Sequence, residues 1–142
     1  MNTGEKKIHD RKKGSVMVEF ALVLPIFVLF MVGIVEFSRV LMVQQVITNA
    51  AREGARAGSI YINDITAQSQ AATISNAYLT ASGVDASNTS LVTVDSDLIT
   101  TGGLPAIQVL INYNYDSLLT GFIPGIPGTL TLSATVVMRR EI

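Results

Sequence analysis

Three patterns of apolar and polar positions follow one another along the chain. Residues 20–35 (FALVLPIFVLFMVGIV) are apolar on every helical face, with Glu19 before them and Glu36 after. Such a run needs cover all round, and a small domain lacks the mass to supply it, so it predicts a membrane-spanning helix rather than a core helix. Residues 15–35 carry one charge; at about 1.5 Å per residue they make roughly 31 Å of helix, enough to cross a hydrocarbon core of about 30 Å. The second pattern is amphipathic. No proline falls between residues 36 and 57, and Val40, Val43, Ile47 and Ala50 recur at intervals of three and four, which predicts that the helix continues as a stem. One helix is therefore expected over residues 15–57, about 65 Å long, half in the bilayer and half projecting. Pro25 removes one backbone hydrogen bond inside the span, so a kink or a loosening is expected there.

The third pattern predicts a small α+β domain over residues 59–142. Asn63 or Asp64 can cap a helix over residues 65–81, with Ala71, Ile74 and Tyr78 on one face and Gly83 ending it. Three strands follow, at residues 91–94, 106–115 and 129–138. In the second, Ile107, Val109, Ile111, Tyr113 and Tyr115 alternate with polar positions; in the third, Leu130, Leu132, Ala134, Val136 and Met138 alternate with Thr and Ser. That period of two predicts a three-stranded antiparallel sheet covered on one face. The GFIPGIPG segment, residues 121–128, reads as a long hairpin loop whose Phe122, Ile123 and Ile126 either fold back on the core or contact a partner.

Composition narrows the function. The chain has no cysteine, which excludes disulfides, Cys-ligated zinc or iron–sulfur sites and a thiol nucleophile. A net charge of -1 supplies no broad phosphate footprint, so no nucleic-acid partner is expected. The charges are unevenly placed. Lys6, Lys7, Arg11, Lys12 and Lys13 outweigh Glu5 and Asp10 ahead of the span, which puts the N-terminus in the cytoplasm and the C-terminal domain across the cytoplasmic (inner) membrane, periplasmic or extracellular. An ordinary secretory signal peptide fits poorly, because the apolar run exceeds the usual stretch of about 7–15 residues and no small-x-small cleavage site follows it.

Little points to an enzyme. There is no phosphate-binding glycine loop, no G-x-S-x-G elbow and no H-E-x-x-H, and the one histidine is His9 in the basic leader. No catalytic, cofactor-binding or metal site is expected. Asp85, Asn88, Asp95 and Asp97 lie close in sequence, but their spacing matches no EF-hand loop and reads as a polar turn; Thr101, Gly102 and Gly103 read as another.

The residues that ask for a function lie where the basic leader meets the span: Gly14, Ser15, Glu19 and Phe20. A carboxylate at the centre of a span costs about 2.5–3.5 kcal/mol on insertion scales, so even at the margin Glu19 wants a reason. Cleavage after Gly14 would leave a cationic α-amine on Ser15, able to pair with the carboxylate of a neighbouring subunit; a Glu19 solvated at headgroup level is the plain alternative.

RKKGSVMVEFALVLP is similar to the class III signal of type IV prepilins. Together with GIVEFSRVL and TNAAREGARAG, it resembles the TadE-like pseudopilins of tight-adherence (Flp) pilus systems, strongly over residues 14–58 and only in general layout beyond. The resemblance implies cleavage between Gly14 and Ser15 by a membrane-embedded prepilin peptidase, with Gly14, Glu19 and Phe20 as the matching recognition residues. It implies a type IV pilin-like fold and a role in assembling or anchoring a pilus. Expected partners are the membrane, the prepilin peptidase, Flp-type pilins or other pseudopilins, and the inner-membrane assembly platform. Ser15 departs from the phenylalanine that many type IV pilins carry at the first mature position.

The expected organisation is a basic leader over residues 1–14, a transmembrane helix over 15–36, a helical stem over 37–58 and a small exported α+β domain over 59–142. The alternative is a single-pass anchored extracytoplasmic binding or adhesion protein that never enters a pilus. It expects an unprocessed N-terminus and a tolerant Glu19; the pseudopilin reading expects the opposite.

Overall fold

The computed structural model describes residues 5–95, 100–101, 104–118 and 128–140, with side chains at residues 14–89, 106–118 and 128–140. The described elements run α1 (Glu5–Ser59), α2 (Asp64–Ala81), a 3-10 turn (Ala86–Asn88), β1 (Thr89–Asp95), β2 (Thr100–Thr101), β3 (Leu104–Asp116) and β4 (Thr129–Arg139). The chain divides into two compact units, Met1–Phe37 and Ser38–Ile142.

In the first unit the helix begins at Glu5, inside the basic leader, and not at residue 15. Nothing in the leader sequence forbids this, since Lys and Arg are good helix formers and residues 5–13 contain neither Gly nor Pro. Pro25 lies within α1, which the helix carries without interruption. The apolar side chains here point outward: Phe20, Ile26 and Phe30 are each about two-thirds exposed.

The second unit begins with the remainder of α1, which ends at Ser59, two residues past the expected boundary. Its inner stripe is Ile47, Ala50, Ala51 and Ala55, all fully buried, with Val40, Val43 and Val46 packed around them, as the spacing of the stem predicts. α2 packs on this stripe. Asn63 is the cap, its Oδ1 accepting from the backbone N–H of Ile65 (3.0 Å) and Thr66 (3.4 Å), which satisfies donors that the first turn leaves free. The other end closes with a Schellman arrangement: Val84 N–H bonds to the Leu79 carbonyl and Gly83 N–H to that of Thr80, with Gly83 at φ +74 where a side chain would be strained.

The face that α2 buries differs from expectation. Ala67, Ala71, Ser75 and Leu79 are turned inward, whereas Ile74 is 38% exposed and Tyr78 is only partly buried. Size explains the difference. Where Gly54 and Gly58 let the helices approach, only small residues fit, so Ala67, Ala71 and Ser75 take that part of the interface ahead of larger apolar ones.

β3 and β4 form one unbroken antiparallel ladder from Ala106↔Arg139 to Asp116↔Thr129. Ile107, Val109, Ile111, Tyr113 and Tyr115 of β3 lie buried beside Leu132 and Ala134 of β4, with Val136 and Met138 packed against them, which is the covered face that the period of two predicts. Leu130, expected on that face, is 43% exposed at the end of the ladder.

The expected three-stranded sheet is corrected by the pairing. A continuous ladder joins only two strands, β3 and β4. β1 pairs with the other edge of β3 through Thr89↔Tyr113 and Ser90↔Asn112, then shifts register before Thr93↔Leu110 and Val94↔Val109. Residues 91 and 92 thus face one residue on β3, the two-against-one count of a β-bulge, which interrupts hydrogen bonding there. β2 adds a two-residue strand, with Thr101 paired to Leu104; residues 102 and 103 of the expected turn lie outside the described residues.

Candidate functional site

All four candidate processing residues lie on α1. Gly14, Ser15, Glu19 and Phe20 are exposed, and Ser15 and Glu19, four apart, share one side of the helix. A Cβ added at Gly14 would meet nothing within 4 Å, so packing within the chain does not demand a glycine at that position. The Gly14–Ser15 bond sits inside regular helix. A peptidase needs a locally extended backbone to reach a peptide bond, and glycine lowers the cost of unwinding by roughly 1 kcal/mol relative to alanine.

The stem has a different geometry. A Cβ at Gly54 would run into Ser75 Oγ and come within 2.9 Å of the Ala71 carbonyl oxygen; at Gly58 it would run into Ile107 Cδ1 and lie 3.1 Å from the Ala67 carbonyl oxygen. Ser75 Oγ donates to the Ala50 carbonyl at 3.1 Å, fully buried. The Ala50, Gly54, Gly58 track therefore brings α2 onto α1 within the same chain. Arg52, Glu53 and Arg56 are exposed, with Arg56 and Glu53 3.8 Å apart, a solvated face. Gln44 Nε2 donates to the Ser133 carbonyl at 3.0 Å and so satisfies an acceptor on β4.

Two contacts were not legible in the sequence. Arg140, whose side chain is 8% exposed, meets the carboxylate of Asp64 at 2.5 Å and donates to the Ile62 carbonyl at 3.5 Å, tying the end of β4 to the corner between α1 and α2. Arg39 lies over the Tyr115 ring, 5.8 Å from its centroid, and Glu36, one turn earlier, is buried. Neither contact has a local signal, since each joins elements far apart in sequence.

Asp85 caps the 3-10 turn, its Oδ1 accepting from Ser87 N–H at 2.9 Å; that backbone hydrogen bond lowers its pKa below 3.8. Asp97 and the 121–127 stretch, with Phe122, Ile123 and Ile126, lie outside the described residues. Among the described residues no group of three or more His, Asp or Glu side chains is placed to hold a metal ion.

These features define a class: an α+β chain whose one long N-terminal helix is long and apolar enough to cross a membrane, followed by a small domain. Residues 14–56 match a family model described as TadE-like protein, so the chain carries a TadE-like N-terminal segment, as its motifs indicate. Comparison with curated proteins and with solved structures returned no match.

Proposed function

We propose that this protein is a membrane-anchored pseudopilin acting in tight-adherence (Flp) pilus assembly, matured by prepilin peptidase between Gly14 and Ser15. The observation that carries the reading is the TadE-like match, which begins at Gly14, the residue that precedes the proposed cut. The open surroundings of Gly14 add to it, because a glycine without a packing duty is accounted for by recognition.

In this reading the N-terminus is cytoplasmic, residues 15–36 cross the inner membrane once and the C-terminal domain is exported. Cleavage replaces the basic leader by a single α-amine on Ser15, which pairs with Glu19 of a neighbouring subunit and offsets the cost of a carboxylate at the bilayer margin. Phe20 completes the recognition sequence. The mature helix packs with Flp-type pilins or other pseudopilins at the assembly platform, and the protein carries out no catalysis of its own.

The test is the mass and N-terminal sequence of the protein purified from membranes with the cognate prepilin peptidase present or deleted. A chain starting at Ser15 that reverts to the full length on deletion is the expected result. An N-terminus at Met1 or Asn2 in both strains would overturn the reading in favour of an anchored binding protein.

A further inference from the structure

Among the described residues, β4 is paired along one edge, to β3. Ser117 N–H donates to the Gly128 carbonyl at 3.0 Å, and bonded pairs recur at every second residue of an antiparallel ladder. The N–H and C=O groups of Leu132, Ala134 and Val136 therefore turn to β3, and those of Thr131, Ser133, Thr135 and Val137 turn away from it. The Gln44 amide, which donates to the Ser133 carbonyl at 3.0 Å, reaches β4 from that outer side. Long free edges are ordinarily guarded by Pro, Lys, a bulge or an inward charge. β4, TLTLSATVVMR, holds no Pro or Lys and no charge before Arg139, and its ladder with β3 is unbroken.

The stem walls the space beside this edge. Gln44 also lines a groove of about 320 Å³ with Gln45, Thr48, Asn49 and Arg52. Leu41, Gln45, Thr48 and Arg52 follow at intervals of four, three and four, and so share one side of α1. Leu41 is 47% exposed. Arg52 donates to Asn49 Oδ1 at 3.4 Å, and neither ion pair among the described residues includes it. From Leu41 to Arg52 is roughly 16 Å of helix, the length of about five residues of strand. Gln44 meets Ser133, and Arg140 donates to the Ile62 carbonyl just beyond α1. The stem and β4 thus run the same way, and Arg52 lies toward the Arg139 end of the edge.

We propose that this edge and its wall accept an added strand from another polypeptide. The main chain of that strand bonds to Thr131, Ser133, Thr135 and Val137, and its row facing the stem carries an apolar side chain at Leu41, a small polar one at Thr48 and a carboxylate at Arg52. Charge chooses the occupant. The groove is lined by amide, hydroxyl and guanidinium groups, so the counter-charge for Arg52 has to come from the partner. β4 of a second copy holds no Asp or Glu, and its Leu132 and Ala134 are already buried in its own core. All the residues concerned belong to the second compact unit, so the site stands apart from the processing reading above.

The probe is the peptide acetyl-Thr-Glu-Thr-Thr-Thr-Val-Thr-amide, which laid antiparallel to β4 puts Glu at Arg52 and Val at Leu41. It is added at millimolar concentration to the full chain in an uncharged detergent, and backbone amide exchange is read by NMR. Without peptide, the amides of Thr131, Ser133, Thr135 and Val137 are expected to exchange several-fold faster than those of Leu132, Ala134 and Val136. The peptide should slow the outer set several-fold and leave the inner set unchanged. A peptide with Lys in place of Glu should protect less, and Arg52→Glu should reverse that preference. N-methylation of the third and fifth peptide residues, whose N–H groups face β4, should abolish protection. Outer amides that no peptide slows, or that the Glu and Lys peptides slow equally, would overturn the proposal. So would outer amides protected before any peptide is added: dependence on protein concentration would assign the edge to a second copy, and independence would show that the chain closes its own edge.

Discussion

Within α1, residues 16–35 and residues 47–59 are equally helical but meet different surroundings. Val16, Phe20, Ile26 and Phe30 of the first stretch are each roughly two-thirds exposed, whereas Ile47, Ala50, Ala51 and Ala55 of the second are fully buried. The first is built of large branched and aromatic side chains, the buried side of the second mostly of alanine and glycine. In lipid, outward apolar area is what stabilises the helix, and larger residues supply more of it. Against α2, closeness matters more than area, and each methyl group has to fit between two backbones. The two glycines make the contrast concrete: a Cβ at Gly33 meets nothing within 4 Å, while one at Gly54 runs into Ser75.

The largest effect should come from cutting the second stretch away. A chain beginning at Ser59 lacks Ile47, Ala50, Ala51 and Ala55, all core residues, and a domain this small has no spare core to lose. It is expected to show no cooperative unfolding, whereas a chain beginning at Ser38 melts cooperatively by circular dichroism. Equal transitions for both would mean that the stem contributes nothing to the fold.

Single methyl groups sharpen the same contrast. Gly54→Ala is expected to destabilise by about 1–3 kcal/mol through overpacking, although alanine favours a helix by about 1 kcal/mol over glycine. Gly33→Ala has no clash to offset that preference and should be neutral or stabilising. Denaturation of both variants in the same detergent decides it, and a loss at Gly33 equal to that at Gly54 would erase the distinction between the stretches.

A smaller loss is expected for Arg140→Ala. Asp64 is 44% exposed, so water screens much of the ion pair, and the cost is about 1 kcal/mol. The shift in urea midpoint should shrink as salt is added. A shift that salt leaves unchanged would assign the role of Arg140 to packing of its stem.

The smallest effect belongs to Asp85. Its folded pKa is held below 3.8 by the Ser87 N–H, so the ionised carboxylate is favoured in the folded chain. That stability is complete above the unfolded value and is lost as pH falls through the lower, folded one. Asp85→Ala should therefore melt slightly below the parent near neutral pH, and the two curves should converge as pH falls through the lowered folded value. A difference that persists in acid would exclude the cap as its source.

Much of this was legible because it is local. The apolar run over residues 20–35, the alternation over residues 106–115 and 129–138, the cap at Asn63 and the stop at Gly83 each follow from adjacent residues and backbone geometry. The candidate processing segment is also local, a glycine followed at fixed spacing by Glu19 and Phe20. Illegible were the inner face of α2 and the bulge in β1. Ile74 and Tyr78 are the larger residues, but Gly54 and Gly58 require a partner with small side chains, and the sequence of α2 does not show which face will meet them. Residues 91–94 read as a plain strand; their break in register depends on how β3 lies alongside.

By itself the sequence determined the local character of each segment, a helix long and apolar enough to cross a membrane, its amphipathic continuation, a capped helix and alternating strands, because hydrophobic period and capping act over a few residues. Only the tertiary structure decided which surfaces meet. It brought Ser75 to the Ala50 carbonyl, Arg140 to Asp64 and Arg39 over Tyr115. Those contacts depend on positions in space that distant parts of the chain fix together, and the distance between two residues along the chain carries no record of them.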